Sequence, residues 1–229
     1  MTHDPRFIHL RTHSEYSLLE GALRLKKLPE MCRKAGMPAM ALTDTNNMFA
    51  ALEYSVAMAG AGVQPIIGCQ VDLAFVTAQP GERARDPAPV VLLAQSEVGY
   101  ENLMKLNSCL YIDKGGALPQ VTLDELEKHA AGIICLTGGA DGPIGQLLQN
   151  AQRPAAEGLM DRLHRVFEDR LYVEIQRHPG EGGKPENERL TERGFVEMAY
   201  AKSIPLVATN DVYFPDTKMY EAHDALICI

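Results

Sequence analysis

The sequence predicts an α/β fold built from repeating βα units, and three observations carry that prediction. Short apolar segments alternate with amphipathic stretches at helical spacing. Glycines follow several of those stretches, where helices commonly end. Polar residues gather toward the C-terminal sides of the apolar segments, which is the rim where α/β proteins build their sites.

The expected strands, in order, are RFIHL (6 to 10), AMALTD (39 to 44), QPIIGCQVDL (64 to 73), PVVLLA (89 to 94), GIICLTG (132 to 138), LYVEIQR (171 to 177) and PLVATND (205 to 211). Helical periodicity runs between them over 26 to 36, 48 to 62, 99 to 112, 122 to 132, 156 to 170 and 188 to 202. Gly36, Gly62 and Gly132 stand where these helices should be capped. Repeated βα units imply parallel strands joined by right-handed crossovers, hence a doubly wound sheet or a closed barrel. The segments 77 to 88, 115 to 118 and 179 to 187 read as loops. None has the strand-loop-helix context of a phosphate cradle.

Composition limits what such a fold can do. A chain of 229 residues suits one larger α/β domain or two small ones, and 46% hydrophobic residues supply a core. The net charge is −8 and no run of Lys and Arg exists, so tight, salt-sensitive binding to nucleic-acid phosphates is not expected. A basic protein surface is a better match. Five cysteines without CxxC spacing, and no signal-type leader, point to a reducing, cytoplasmic compartment. No apolar run approaches the roughly 20 residues that span a bilayer, so no membrane partner is expected. The helical pattern over 220 to 229 reaches Ile229 without Gly, Pro or a polar tail, so the chain is expected to be cut from a longer one.

The stretch FIHLRTHSEYSLLEG (7 to 21) raises the chemical question. A histidine at position 11 would form an HxH pair with His13, both on one strand face, as metal chelation requires. Arg11 stands there instead and cannot be a ligand. Asp44 ends the second expected strand, Gln70 lies in the third, Glu174 and His178 lie within and just after the sixth, and Asp211 ends the seventh. With His9, His13 and Glu20 these residues put histidines and carboxylates on one rim, the address of a metal site. Each also has a plainer role. His9 reads first as a hydrogen-bonded structural histidine, while His13 and His178 suit either role. Asp44 and Asp211 suit turns or helix caps. Cys69 and Cys135 read as small core residues.

The motifs HLRTHSEYSLLEG, ALTDTNNMFAALEY, PIIGCQVDL, LLAQSEVGYENLMKL, ICLTGG, YVEIQRH and VATNDVYF, in this order, resemble the polymerase and histidinol phosphatase (PHP) superfamily. More narrowly they resemble the N-terminal PHP domains of bacterial replicative DNA polymerase III alpha subunits. That resemblance implies a distorted seven-stranded, TIM-like (βα) barrel, with up to three divalent metals at its C-terminal rim where the ligands are complete. It implies a PHP domain over 1 to 229, with 212 to 229 beginning the connection to a polymerase body. This chain departs from the family pattern at Arg11 for the first His of HxH, Thr45 for the His of TDH, Gln70 for the Glu of GxE and Tyr213 for the His of NDxH. Pro89 also stands where His is frequent. The residual ligand-type positions are His9, His13, Glu20, Asp44, Glu174, His178 and Asp211, and Cys135 falls near a position where the family can place a ligand.

Two readings follow. In the first, the domain carries no metal or catalytic residue and docks a partner. The resemblance names that partner as the proofreading exonuclease (epsilon) subunit, beside other replicase subunits. DNA-directed DNA synthesis, magnesium and DNA binding then belong to the longer polymerase chain. In the second, zinc or manganese at a residual site makes the domain an active phosphoesterase or 3′-5′ exonuclease. Ligand count favours the first, because catalytic metals need about three protein ligands and an open position each. Arg11 is then expected to pair with Asp44, Glu20 or Asp211.

Overall fold

The computed structural model describes residues 7–76, 85–112, 118–178 and 185–229. Its strands are β1 (Ala39–Leu42), β2 (Gln64–Ala74), β3 (Ala88–Ala94), β4 (Val121–Thr122), β5 (Ile133–Leu136), β6 (Leu171–Ile175) and β7 (Leu206–Ala208). Its helices are α1 (Leu28–Ala35), α2 (Ala51–Gly60), α3 (Glu97–Cys109), α4 (Leu123–Lys128), α5 (Pro143–Gln149), α6 (Arg153–Phe167), α7 (Glu186–Lys202) and α8 (Tyr220–Ile227). Local chemistry sets several ends. Gly36 closes α1 at φ +67°, Ser96 accepts a hydrogen bond from Gly99 N–H at the start of α3, and Thr122 and Glu125 form a reciprocal capping box on α4.

The strands form one curled sheet in the order β1-β2-β3-β5-β6-β7, with β4 pairing β2 from outside that path. The order makes an α/β barrel-like fold and requires three corrections to the sequence reading. No strand forms at residues 7–10. The segment instead shares its main-chain bonds between both sheet edges: Ala41 N–H donates to His9 O and Thr43 N–H to Thr12 O on one side, while Val212 N–H donates to Arg11 O and His13 N–H to Val212 O on the other. It closes the barrel through one isolated bridge, Thr12 to Val212, and single main-chain bonds to β1, without a ladder. Second, the sheet is not all parallel, because β3 runs antiparallel to both β2 and β5. Among the described residues between β2 and β3 there is no helix, the usual element of a parallel crossover. Third, β4 and α5 were not expected. Of the expected loops, residues 77–84, 115–117 and 179–184 lie outside the described residues.

Strand alternation separates two surfaces. Val90, Leu92, Cys69, Val71 and Val173 face outward into a cluster with Leu103, Leu106, Phe167 and Phe195 of the surrounding helices. Met40 and Leu42 pack against Cys32, Tyr54 and Met58 of α1 and α2. Ala41, Val91, Leu93 and Leu136 point inward and form a smaller interior cluster. Gln70, opposite Val91, and Glu174, between the outward-facing Val173 and Ile175, alternate with outward residues and so reach the interior. The polar site grows from that interior face.

Candidate functional site

Arg11 lies at the centre, 2% exposed. The closing segment delivers it into the barrel mouth, where four elements meet its guanidinium. Nε donates to Gln70 Oε1 of β2 at 2.9 Å, Nη1 donates to Gly138 O beyond β5 at 3.4 Å, and Nη2 stands 3.0 Å from Asp211 Oδ2 beyond β7. Nη1 also faces Glu174 Oε1 of β6 at 3.6 Å. Burial works against the charge, yet Glu174 and Asp211 outweigh it and hold the Arg11 pKa above its ordinary value. Asp44 and Glu20 do not pair with Arg11; their partners lie in the loop beside it.

His13 joins that loop to the cluster. Its Nε2 lies 3.0 Å from Asp211 Oδ1, and its Nδ1 lies 3.2 Å from Thr45 Oγ1 and 3.3 Å from Ser17 Oγ. The Thr45 hydroxyl donates to Glu20 Oε2 at 2.6 Å and the Ser17 hydroxyl to Asp44 Oδ1 at 2.7 Å. Both hydroxyls therefore turn lone pairs toward Nδ1. A carboxylate only accepts, so the Nε2 that faces Asp211 carries a proton and donates to it. Tyr213 stacks on this ring at 4.3 Å between centroids and donates its hydroxyl to Asp211 Oδ2 at 3.2 Å. Burial and then the Asp211 charge push the Tyr213 phenol up. Asp44, 2% exposed, accepts from Ser14 N–H, the Ser14 hydroxyl and the Ser17 hydroxyl, and so folds the turn after His13 back onto β1.

The remaining candidates stand apart. His9 packs edge-on against Phe7 with its ring centroid 5.0 Å away, and burial lowers its pKa. His178 N–H and Nδ1 both engage Glu188 of α7, at 3.0 and 2.6 Å, so this histidine faces the helix rather than Arg11. Cys69 and Cys135 are buried core thiols whose pKa burial raises. The sequence reading missed Gly138 O, Ser14, Ser17 and the Thr209 hydroxyl, which donates to Glu174 Oε1. Backbone acceptors and scattered hydroxyls leave no distinguishing pattern in a sequence.

The donor set does not fit a divalent metal. Both Asp211 oxygens already take donors from Arg11 and His13, both His13 nitrogens lie within hydrogen-bond distance of protein oxygens, and a fixed positive charge fills the middle of the group. Among the described residues, no group of three or more His, Cys, Asp and Glu is arranged to hold a metal ion.

A pH dependence follows from Asp211. Burial alone would raise its carboxyl pKa, but Arg11, His13 and the Tyr213 hydroxyl together hold it below the usual carboxylate range. A carboxyl more acidic folded than unfolded adds stability that is present above the unfolded pKa, about 3.9, and is lost as pH falls through the folded value. Melting temperature should therefore drop below pH ~4, and Asp211→Asn should lack that part of the drop. Parallel profiles for the two proteins would rule the assignment out.

Residues 9–178 match the PHP domain family. The DNA polymerase III subunit alpha of Caulobacter vibrioides is 45% identical over 225 residues, which cover 97% of this chain and 19% of the relative. The same subunit of Rickettsia bellii is 37% identical over 224 residues, covering 97% and 18%. The chain thus spans about a fifth of the length of the curated relatives it matches. A solved structure of a candidate metal-dependent phosphoesterase from Bifidobacterium adolescentis superposes with a TM-score of 0.57 at 12% identity, over 91% of this chain and 88% of that one, a likeness of fold alone. No helix among the described residues is long and apolar enough to cross a membrane.

Proposed function

The chain belongs to the PHP domain family, and from that premise we propose that it is the PHP domain of a replicative DNA polymerase III alpha subunit, acting as a metal-free scaffold. One observation carries the reading: the Arg11 guanidinium bonds Gln70 and Asp211 in the barrel mouth, so a protein cation does there the charge balancing that a dication would otherwise do. Hydrolysis at such a rim needs a metal-activated water and an open coordination position. Neither suits a carboxylate already held by a guanidinium and a histidine ring N–H. DNA synthesis, with its magnesium, belongs on this reading to the longer polymerase chain, and the reducing cytoplasm is its setting.

The scaffold's work is docking. Family resemblance names the proofreading exonuclease (epsilon) subunit as the partner, and the −8 charge suits a basic protein surface better than DNA. A calorimetric titration with the cognate exonuclease subunit at physiological salt should give micromolar or tighter affinity, while a parallel DNA titration should give weak binding with a shallow salt slope. Tight DNA binding without exonuclease-subunit binding, or chelator-sensitive hydrolysis of a phosphodiester in the presence of manganese, would return the domain to the nuclease class.

A further inference from the structure

Behind Arg11, Glu174 and Gln176 lie two residues apart along β6 and its extension, so their side chains share a face. Glu174 is fully buried. Its Oε1 takes the Thr209 hydroxyl and faces Arg11, but its Oε2 meets no donor among the described residues. Gln176, 7% exposed, has a buried Nε2 that likewise meets no acceptor among the described residues. Both residues line a cavity of about 10 Å³ that Ala140, Thr191 and Phe195 help to close. That volume accommodates about one water molecule.

A buried carboxylate oxygen without a donor costs several times what an ordinary hydrogen bond contributes, and native structures rarely leave one unpaired. The two orphan atoms have opposite needs, one for a donor and one for an acceptor. A single water meets both. We propose that this cavity is a one-water site in which a buried water donates to Glu174 Oε2 and accepts from the Gln176 side-chain N–H. A cation is a poorer match, because the Gln176 N–H would point at it. The other carboxylates lining the cavity are also spoken for, since Glu188 pairs with His178 and Glu192 with Arg177. The site fixes the second oxygen of the carboxylate that faces Arg11, and it does not depend on the scaffold reading.

A crystal structure of the chain at a resolution that defines ordered solvent tests this. It should show one water within hydrogen-bond distance of both atoms. A cavity without density, or a protein donor on Glu174 Oε2, would overturn the proposal. Gln176→Met gives a second readout, since it removes the donor and leaves the water short of a partner. Its melting temperature should fall by about 2–8 °C. An unchanged or raised melting temperature would mean that the cavity is dry.

Discussion

Arg11→Ala should melt about 6–20 °C below the parent chain. Removing one partner of a buried ion pair leaves the other charge uncompensated and costs about 3–5 kcal/mol, and each kcal/mol moves the melting point of a domain this size by about 2–4 °C. Here Asp211 loses its guanidinium and buried Glu174 loses its nearest cation. Gln70 Oε1 and Gly138 O lose donors as well. Arg11→Lys should recover only part of the loss, because an ammonium restores the charge but not a fork that reaches Gln70, Gly138 and Asp211 together. Circular-dichroism melts of the three proteins at neutral pH decide the matter. An alanine variant that melts within a degree or two of the parent would mean that the guanidinium contributes nothing.

Asp44→Ala comes next in size, for a different reason. Among the described residues its carboxylate bonds no cation; it gathers the Ser14 N–H, the Ser14 hydroxyl and the Ser17 hydroxyl. Stripping acceptors from three buried donors at about 1–3 kcal/mol each should lower stability by at least about 3 kcal/mol, or about 6–12 °C. The loss should be local as well as global. The turn from Ser14 to Gly21 presents Glu20 to Thr45, so Ser14 and Glu20 amides should exchange hydrogen faster in the variant. Asp44→Asn keeps an acceptor and should do less harm. Equal melting points and equal exchange for parent and alanine variant would show that the turn is held by other contacts.

The parts of this molecule that could be read in advance were those written in short-range pattern. The runs AMAL, PVVLLA, IICL and LYVEI became strands because each is apolar enough to be buried on both faces. The first expected strand failed because its hydrogen bonds are divided between β1 and the segment after β7, a long-range arrangement with no local signature. The antiparallel β3 was not expected, because repeated βα units were read as parallel throughout although no helical run was assigned between residues 73 and 89. β4, two residues long, exists only through its register with β2. In the site, the exchange of a ligand-type histidine for Arg11 pointed to an internal ion pair, and Asp211 was among its expected partners. Asp44 and Glu20 were expected equally, and only the fold separates them, by turning their oxygens toward Ser14, Ser17 and Thr45. His178 illustrates the same limit, since Glu188 reaches it only once α7 packs beside β6.

Elemental analysis of the purified chain after mild dialysis, by mass spectrometry for zinc, manganese and iron, tests the central claim most directly. A barrel mouth whose charge is balanced by Arg11 should carry far less than one transition-metal ion per chain and should take up none stoichiometrically when zinc or manganese is added back. One or more tightly held ions per chain, displaced only by a strong chelator, would contradict the account and place a working metal centre where Arg11 has been assigned.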